Sequence, residues 1–230
     1  QGESGSQSDS RGAGALNGGA WTPLRQAKQL LRHAVTDLMN GVEFSSYFTT
    51  VDMVEALHGL TGNKASYLDY GYFGVLSASF DEDGFATGGY EPKPSYYAYQ
   101  ALAALLADSP TVCQLPALMQ AGPSKRTLGQ DYLDYRLHSA GFRRNNGSSA
   151  LCYWHPADLM TSQYQGTITL EVAQLPSPIR LADPMDGKVY ALPEGMAEAL
   201  GEGCLRLRHL PICDYPLFLT FGDFVGYTTV

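Results

Sequence analysis

Several kinds of segment are missing from this 230-residue sequence, and each absence removes a class of function. No apolar run is long enough to span a bilayer and no signal-peptide pattern opens the chain, so no membrane partner is expected. No CxxC pair occurs. The four cysteines, Cys113, Cys152, Cys204 and Cys213, lie far apart, which disfavours zinc, and a chain of this size needs no disulfide staples, so free thiols are expected. His33 and His58 have no partner at ligand spacing and read as core or surface histidines, so no metal is expected. Gly12-x-Gly14 lacks the strand-and-helix frame of a phosphate loop, and no Gly-x-Ser-x-Gly elbow is present, so neither a nucleotide cofactor nor an esterase is expected. Positive charge is scarce. Fifteen Lys and Arg face 23 Asp and Glu, and the net charge of −8 argues against nucleic acid and anionic membrane surfaces as partners. The chain opens on Gln1 rather than Met, so the natural N-terminus is expected upstream; free thiols and the lack of a signal peptide lean towards the cytoplasm.

What is present is enough apolar material for a core. Hydrophobic residues make up 44% of the chain and charged residues 17%, a balance that favours packing over disorder. Tyrosine is abundant, at 15 residues; it suits β-structure, and its ring also offers a stacking face to a sugar.

Taken in order, residues 6–20 are rich in Gly, Ser and Ala and read as a long loop, either a binding loop or a frayed terminus. Thr22-Pro23 then supplies an N-cap and a first helical position. Leu24, Ala27, Leu30, Leu31, Ala34, Val35 and Leu38 recur at three- and four-residue steps, which predicts a helix to about Asn40, ended by Gly41. The stretch 42–48 is short and β-prone and predicts a strand. A short helix is expected over 52–60, a strand within 70–80, a turn at 81–84, a return strand over 85–90, and a helix over 95–107. Beyond Asp108-Ser109-Pro110 helical periodicity fades, and Gly122-Pro123-Ser124-Lys125 reads as a linker. Short β-runs follow at 133–137, 139–143, 150–154, 166–172, 179–181, 188–192, 204–210 and 217–221, with turn residues between them. That spacing predicts an antiparallel sandwich.

Four motifs carry a resemblance: Gly2-Glu3-Ser4-Gly5; Gln26-Ala27-Lys28 followed by Arg32; Phe73-Gly74-Val75-Leu76; and Lys93-Pro94-Ser95-Tyr96-Tyr97-Ala98. In these the chain resembles the C-terminal part of the clan A glycoside hydrolases, retaining (β/α)8-barrel enzymes that often carry a β-sandwich beside the barrel. The resemblance implies a fold of the α/β plus all-β class. Residues 1–108 would be the last strands and helices of a barrel, 109–125 a linker, and 126–230 a β-sandwich. It also implies that Glu3 is the catalytic nucleophile at the end of the seventh strand. Retaining hydrolysis needs a second carboxyl group about 5–5.5 Å away as acid and base. In this family that group follows the fourth strand, and the chain holds no fourth strand.

Such barrels bind substrate at the C-terminal ends of their strands. That places Trp21, Tyr47 and Phe48 as candidate stacking platforms for a sugar ring, and Asp9, Arg11 and Asp52 as candidate hydrogen-bonding partners for its hydroxyls. Core packing is the competing role for the three aromatics, and simple solvation for the three charges. Two β/α units cannot close a barrel. The chain is therefore expected to associate, with itself or with a missing N-terminal barrel portion, or else to fold its first hundred residues onto the sandwich. The competing class of function is a noncatalytic carbohydrate-binding or structural β-sandwich module that retains barrel elements.

Overall fold

The structure is a computed structural model that describes residues 4–9, 21–52, 72–81, 85–126, 137–160 and 163–226. Two helices, a two-stranded ribbon and two larger antiparallel sheets make up the described regular structure.

Helix α1 spans Pro23–Met39 and begins as its sequence dictates. The Thr22 hydroxyl accepts a hydrogen bond from the Arg25 amide (3.2 Å), Pro23 occupies the first turn, and Gly41 follows Asn40 with φ +69°, the left-handed stop that glycine adopts without strain. Helix α2 spans Pro94–Leu105 and also opens on a proline. Strands β1 (Leu76–Phe80) and β2 (Ala86–Pro92) form the antiparallel ribbon between the helices.

Ten further strands form the sandwich. One sheet has the order β3 (Thr111–Cys113), β5 (His138–Arg143), β6 (Ser149–Trp154), β12 (Leu217–Phe221), β8 (Ile179–Asp183), β9 (Lys188–Ala191). The other has the order β10 (Ala197–Gly201), β11 (Cys204–Cys213), β7 (Tyr164–Ala173), β4 (Ala117–Arg126). All their pairings are antiparallel. The expected sandwich is therefore present.

The six-stranded sheet is covered on both faces. Leu151, Tyr153, Leu181, Leu217, Leu219 and Phe221 belong to one core with Ile168, Leu170, Val172, Leu207, Leu210 and Ile212 of the four-stranded sheet. The intervening residues Ala150, Cys152, Trp154, Ala182 and Phe218 belong to a second core with Ala27, Leu31 and Val35 of α1 and Ala98, Leu102 and Leu105 of α2. Successive strand residues point to opposite faces, so a middle strand that serves both cores is apolar throughout. Every residue of β6 and β12 is buried. The two described helices thus lie on the sandwich as a third layer.

Charge locks that layer in place. Lys28 of α1 pairs with the buried Asp214 (2.7 Å), and the Arg32 guanidinium donates to the carbonyls of Asp214 (2.5 Å), Ala157 (2.8 Å) and His155 (3.4 Å). At the far end Arg144 donates to the carbonyls of Leu105 and Ala107, which the end of α2 leaves without helical partners.

Three expectations are corrected. The linker expected over 109–125 instead holds β3 and β4, one in each sheet. Its Gly122-Pro123 is a bulge within β4: the pairing slips between Ala121 and Ser124, and a Cβ on Gly122 would stand 2.6 Å from Thr167 Oγ1. The strand expected over 42–48 reduces to a single bridge at Tyr47. Strand β10 has no counterpart among the expected runs. Of the helix expected over 52–60, residues 53–60 lie outside the described residues, as do residues 133–136 of the β-run expected over 133–137. All four cysteines are free thiols, and Cys152 is fully buried.

Candidate functional site

Three extended segments, 4–8, 47–52 and 72–76, meet at the N-terminal ends of both helices. Ser4 bridges Tyr47 in parallel, with the Phe48 amide donating to the Ser4 carbonyl (2.7 Å) and the Ser4 hydroxyl to that of Ser46 (3.0 Å). Val51 bridges Leu76, also in parallel, through Leu76 N to Thr50 O and Asp52 N to Leu76 O (both 2.9 Å). The Ser8 amide donates to the Tyr72 carbonyl (2.9 Å). The approach is close enough to require glycine twice. A Cβ on Gly5 would lie 2.0 Å from the Phe48 carbonyl oxygen, and one on Gly74 would lie 2.1 Å from the Asp52 amide nitrogen.

Gln26, in the first turn of α1, sits at the centre of this arrangement with no exposed surface. Its side-chain amide donates towards the carbonyls of Ser6 (2.9 Å), Phe73 (3.1 Å) and Gly74 (3.1 Å), and its carbonyl accepts from the Ser95 hydroxyl of α2 (2.8 Å). One side chain therefore ties two of the extended segments and both helices together.

Beside it lies a buried ion pair. Lys93 Nζ is 2.5 Å from Asp52 Oδ1 and 2.9 Å from the Ser8 hydroxyl, and the same Asp52 oxygen accepts from the Gly74 amide (2.8 Å). Burial raises the Asp52 carboxyl above its ordinary value, and the bond and charge of Lys93 offset part of that rise. Burial lowers Lys93, offset by Asp52 and more weakly by the charge of Asp9. The Tyr47 hydroxyl is enclosed and makes no hydrogen bond of ordinary geometry among the described residues. Burial pushes it up to about 12, tempered by nearby polar groups of Ser6 and Gln26. A cleft of about 240 Å³ opens behind Tyr47, between α1 and α2, with Leu30, Ala34, Leu38, Leu102 and Leu106 in its wall.

The structure brings four of the seven sequence-derived site residues to this place, in roles closer to scaffolding than to open contact. Asp52 is spent on Lys93 and Gly74. Phe48 is half-buried and packs edge-on against Phe73, with ring centroids 5.8 Å apart. Tyr47 is half-buried in the cleft wall, and Asp9 is half-buried within electrostatic reach of Lys93. Trp21 is buried just ahead of the Thr22 cap. Glu3 and Arg11 lie outside the described residues; Glu3 directly precedes the bridging Ser4.

Sequence reasoning passed over Gln26, Ser8, Lys93 and Ser95 as site residues. One signal was available. Lys93 is the N-cap of α2, where the helix dipole disfavours a cation and where it makes no capping bond. A lysine there implies an acidic partner close by. Among the described residues no group of three or more His, Cys, Asp or Glu is placed to hold a metal ion, and no described helix is long and apolar enough to cross a membrane.

The fold and this junction define a three-layer protein, helices on a sheet on a sheet, whose parallel backbone pairing is gathered at the helix N-termini. No protein-family model matches the chain, and no curated protein matches it.

Proposed function

We propose that the chain is the C-terminal part of a retaining glycoside hydrolase, with Glu3 as its nucleophile. The observation that carries this reading is the parallel bridge between Ser4 and Tyr47 with α1 between them in sequence. Strand, helix, parallel strand is the repeat from which (β/α)8 barrels are built. In such a barrel the catalytic carboxylates stand at the C-terminal ends of the strands, and Glu3 directly precedes Ser4 in the sequence.

The chemistry follows from a carboxylate in that place. Glu3 attacks the anomeric carbon and forms a glycosyl ester as the bond to the leaving oxygen breaks; a water molecule then cleaves the ester. The acid and base carboxyl group comes from outside these residues, on the missing portion of the barrel. That portion, or a second copy of the chain, is the partner of the exposed rings of Phe44 (68% exposed), Tyr97 and Tyr99. The substrate is a carbohydrate.

The test uses a 2-fluoro glycoside with an activated leaving group, which departs without proton donation and so does not require the missing acid. Covalent labelling of the chain at Glu3, abolished in Glu3→Gln, is the expected result. Labelling at another residue, or none, overturns the assignment. Weak reversible binding of oligosaccharides without labelling would instead identify a noncatalytic carbohydrate-binding module.

A further inference from the structure

We infer that Gln26 and Lys93 are positioning residues for the segment that follows Glu3, and that together they set where the nucleophile stands; this rests on the glycosidase reading above. Residues 4–9 are held partly by their own backbone and hydroxyl groups. Ser4 bridges Tyr47, Ser8 bonds Tyr72, and Gly5 admits the close approach of Phe48 by having no side chain. Two further anchors come from fully or nearly buried side chains, each rooted in a helix end. Gln26 holds the Ser6 carbonyl from α1, and Lys93 holds the Ser8 hydroxyl from the N-cap of α2.

Each is fixed from behind. The Gln26 carbonyl is oriented by Ser95, so its amide faces the backbone carbonyls of Ser6, Tyr72, Phe73 and Gly74. Lys93 is oriented by Asp52, which the Gly74 amide holds in turn. A side chain whose own rotamer is locked by a second set of bonds transmits position to what it holds. The helices are themselves anchored to the sandwich through their shared core and the Lys28–Asp214 pair. The sandwich thus supports the segment through the two helices.

The donor direction makes the idea testable with near-isosteric changes. Gln26→Glu keeps size and shape but replaces the donating NH2 with an acceptor facing these carbonyls. Lys93→Met keeps most of the stem and removes the ammonium, while Lys93→Arg keeps the charge.

Two readouts on the full chain decide the matter. The first is amide hydrogen exchange. Exchange within residues 4–9 and 72–76 is expected to rise about tenfold or more in Gln26→Glu and Lys93→Met, with strand β12 unchanged, and to recover in Lys93→Arg. The second is inactivation by the 2-fluoro glycoside. The limiting first-order rate is expected to fall by about tenfold or more with half-saturation unchanged, because geometry at the reacting atom is lost while sugar contacts remain. Exchange that is unchanged, or that rises equally in β12, overturns the inference, as does a loss confined to half-saturation. If the wild-type chain is never labelled, the glycosidase reading falls, and the exchange result alone still decides whether these two side chains hold the segment.

Discussion

At the scale of single residues, burial raises two acidic groups whose titration becomes visible in alkali. The Cys213 thiol is pushed up to about 11 from 9.0 by burial, and the Tyr47 hydroxyl to about 12 from 10.0. The folded chain therefore holds both protons more tightly than the unfolded chain. The stability this contributes is fully present below the ordinary values and is lost as pH rises through the folded ones. The urea midpoint of the reduced protein is expected to fall between pH 9.0 and about 11, and Cys213→Ala is expected to flatten that fall. A second residue-scale prediction concerns Gly74. A methyl group there meets the Asp52 amide and the Val51 carbonyl carbon, both backbone atoms with no freedom to rotate away. Gly74→Ala should cost about 1–3 kcal/mol, by analogy with overpacked cores, read as a lowered urea midpoint.

At the scale of elements, the start of α1 and its attachment to the sandwich are separable. Thr22→Ala removes the one side-chain bond that caps the helix and should cost about 1 kcal/mol in thermal unfolding. Lys28→Met should cost more, about 3–5 kcal/mol, because it strands Asp214 as a buried charge. The double change Lys28→Met with Asp214→Asn should recover much of that loss, and a double-mutant cycle on the urea midpoints measures how much. The irregular strands follow the same local logic. In β11 the pairing slips between Leu207 and Leu210, and His209 takes a positive φ of 58°, so that Leu207, Leu210 and Ile212 all reach the core.

At the scale of the whole molecule, one core joins both helices to the six-stranded sheet, so the layers should melt together. Calorimetry is expected to show a single transition whose van't Hoff and calorimetric enthalpies agree. A chain confined to 109–230 would bare the face formed by Phe142, Cys152, Trp154 and Phe218 and should aggregate more strongly than the full chain. Against the three-layer body stands the exposed apolar surface of Phe44, Phe85 (71% exposed), Tyr90, Tyr97 and Tyr99. Light scattering should therefore find the isolated chain self-associated, and mixing it with a matching N-terminal barrel portion should return it to a defined complex.

Local chemistry was legible in the sequence. Thr22-Pro23 and Gly41 bounded α1, and the β-run read at 217–221 is strand β12 without a shift, because caps, periodicity and β-branched or aromatic runs act through near neighbours. The sandwich was legible for the same reason, and the free thiols from the size of the chain. Gly122-Pro123 misled because a bulge and a linker use the same residues, and only the partner strand distinguishes them. Asp52 read as a ligand because a lone loop carboxylate looks solvated; its partner Lys93 is 41 residues away. The sequence by itself determined the two helices, with the cap and stop of α1, and most of the sandwich strands. Only the tertiary structure decided that the helices lie on the sandwich, that Gln26 and Lys93 grip the segment after Glu3, and that Asp52 is buried, since each of these depends on groups far apart in the chain meeting where water is excluded.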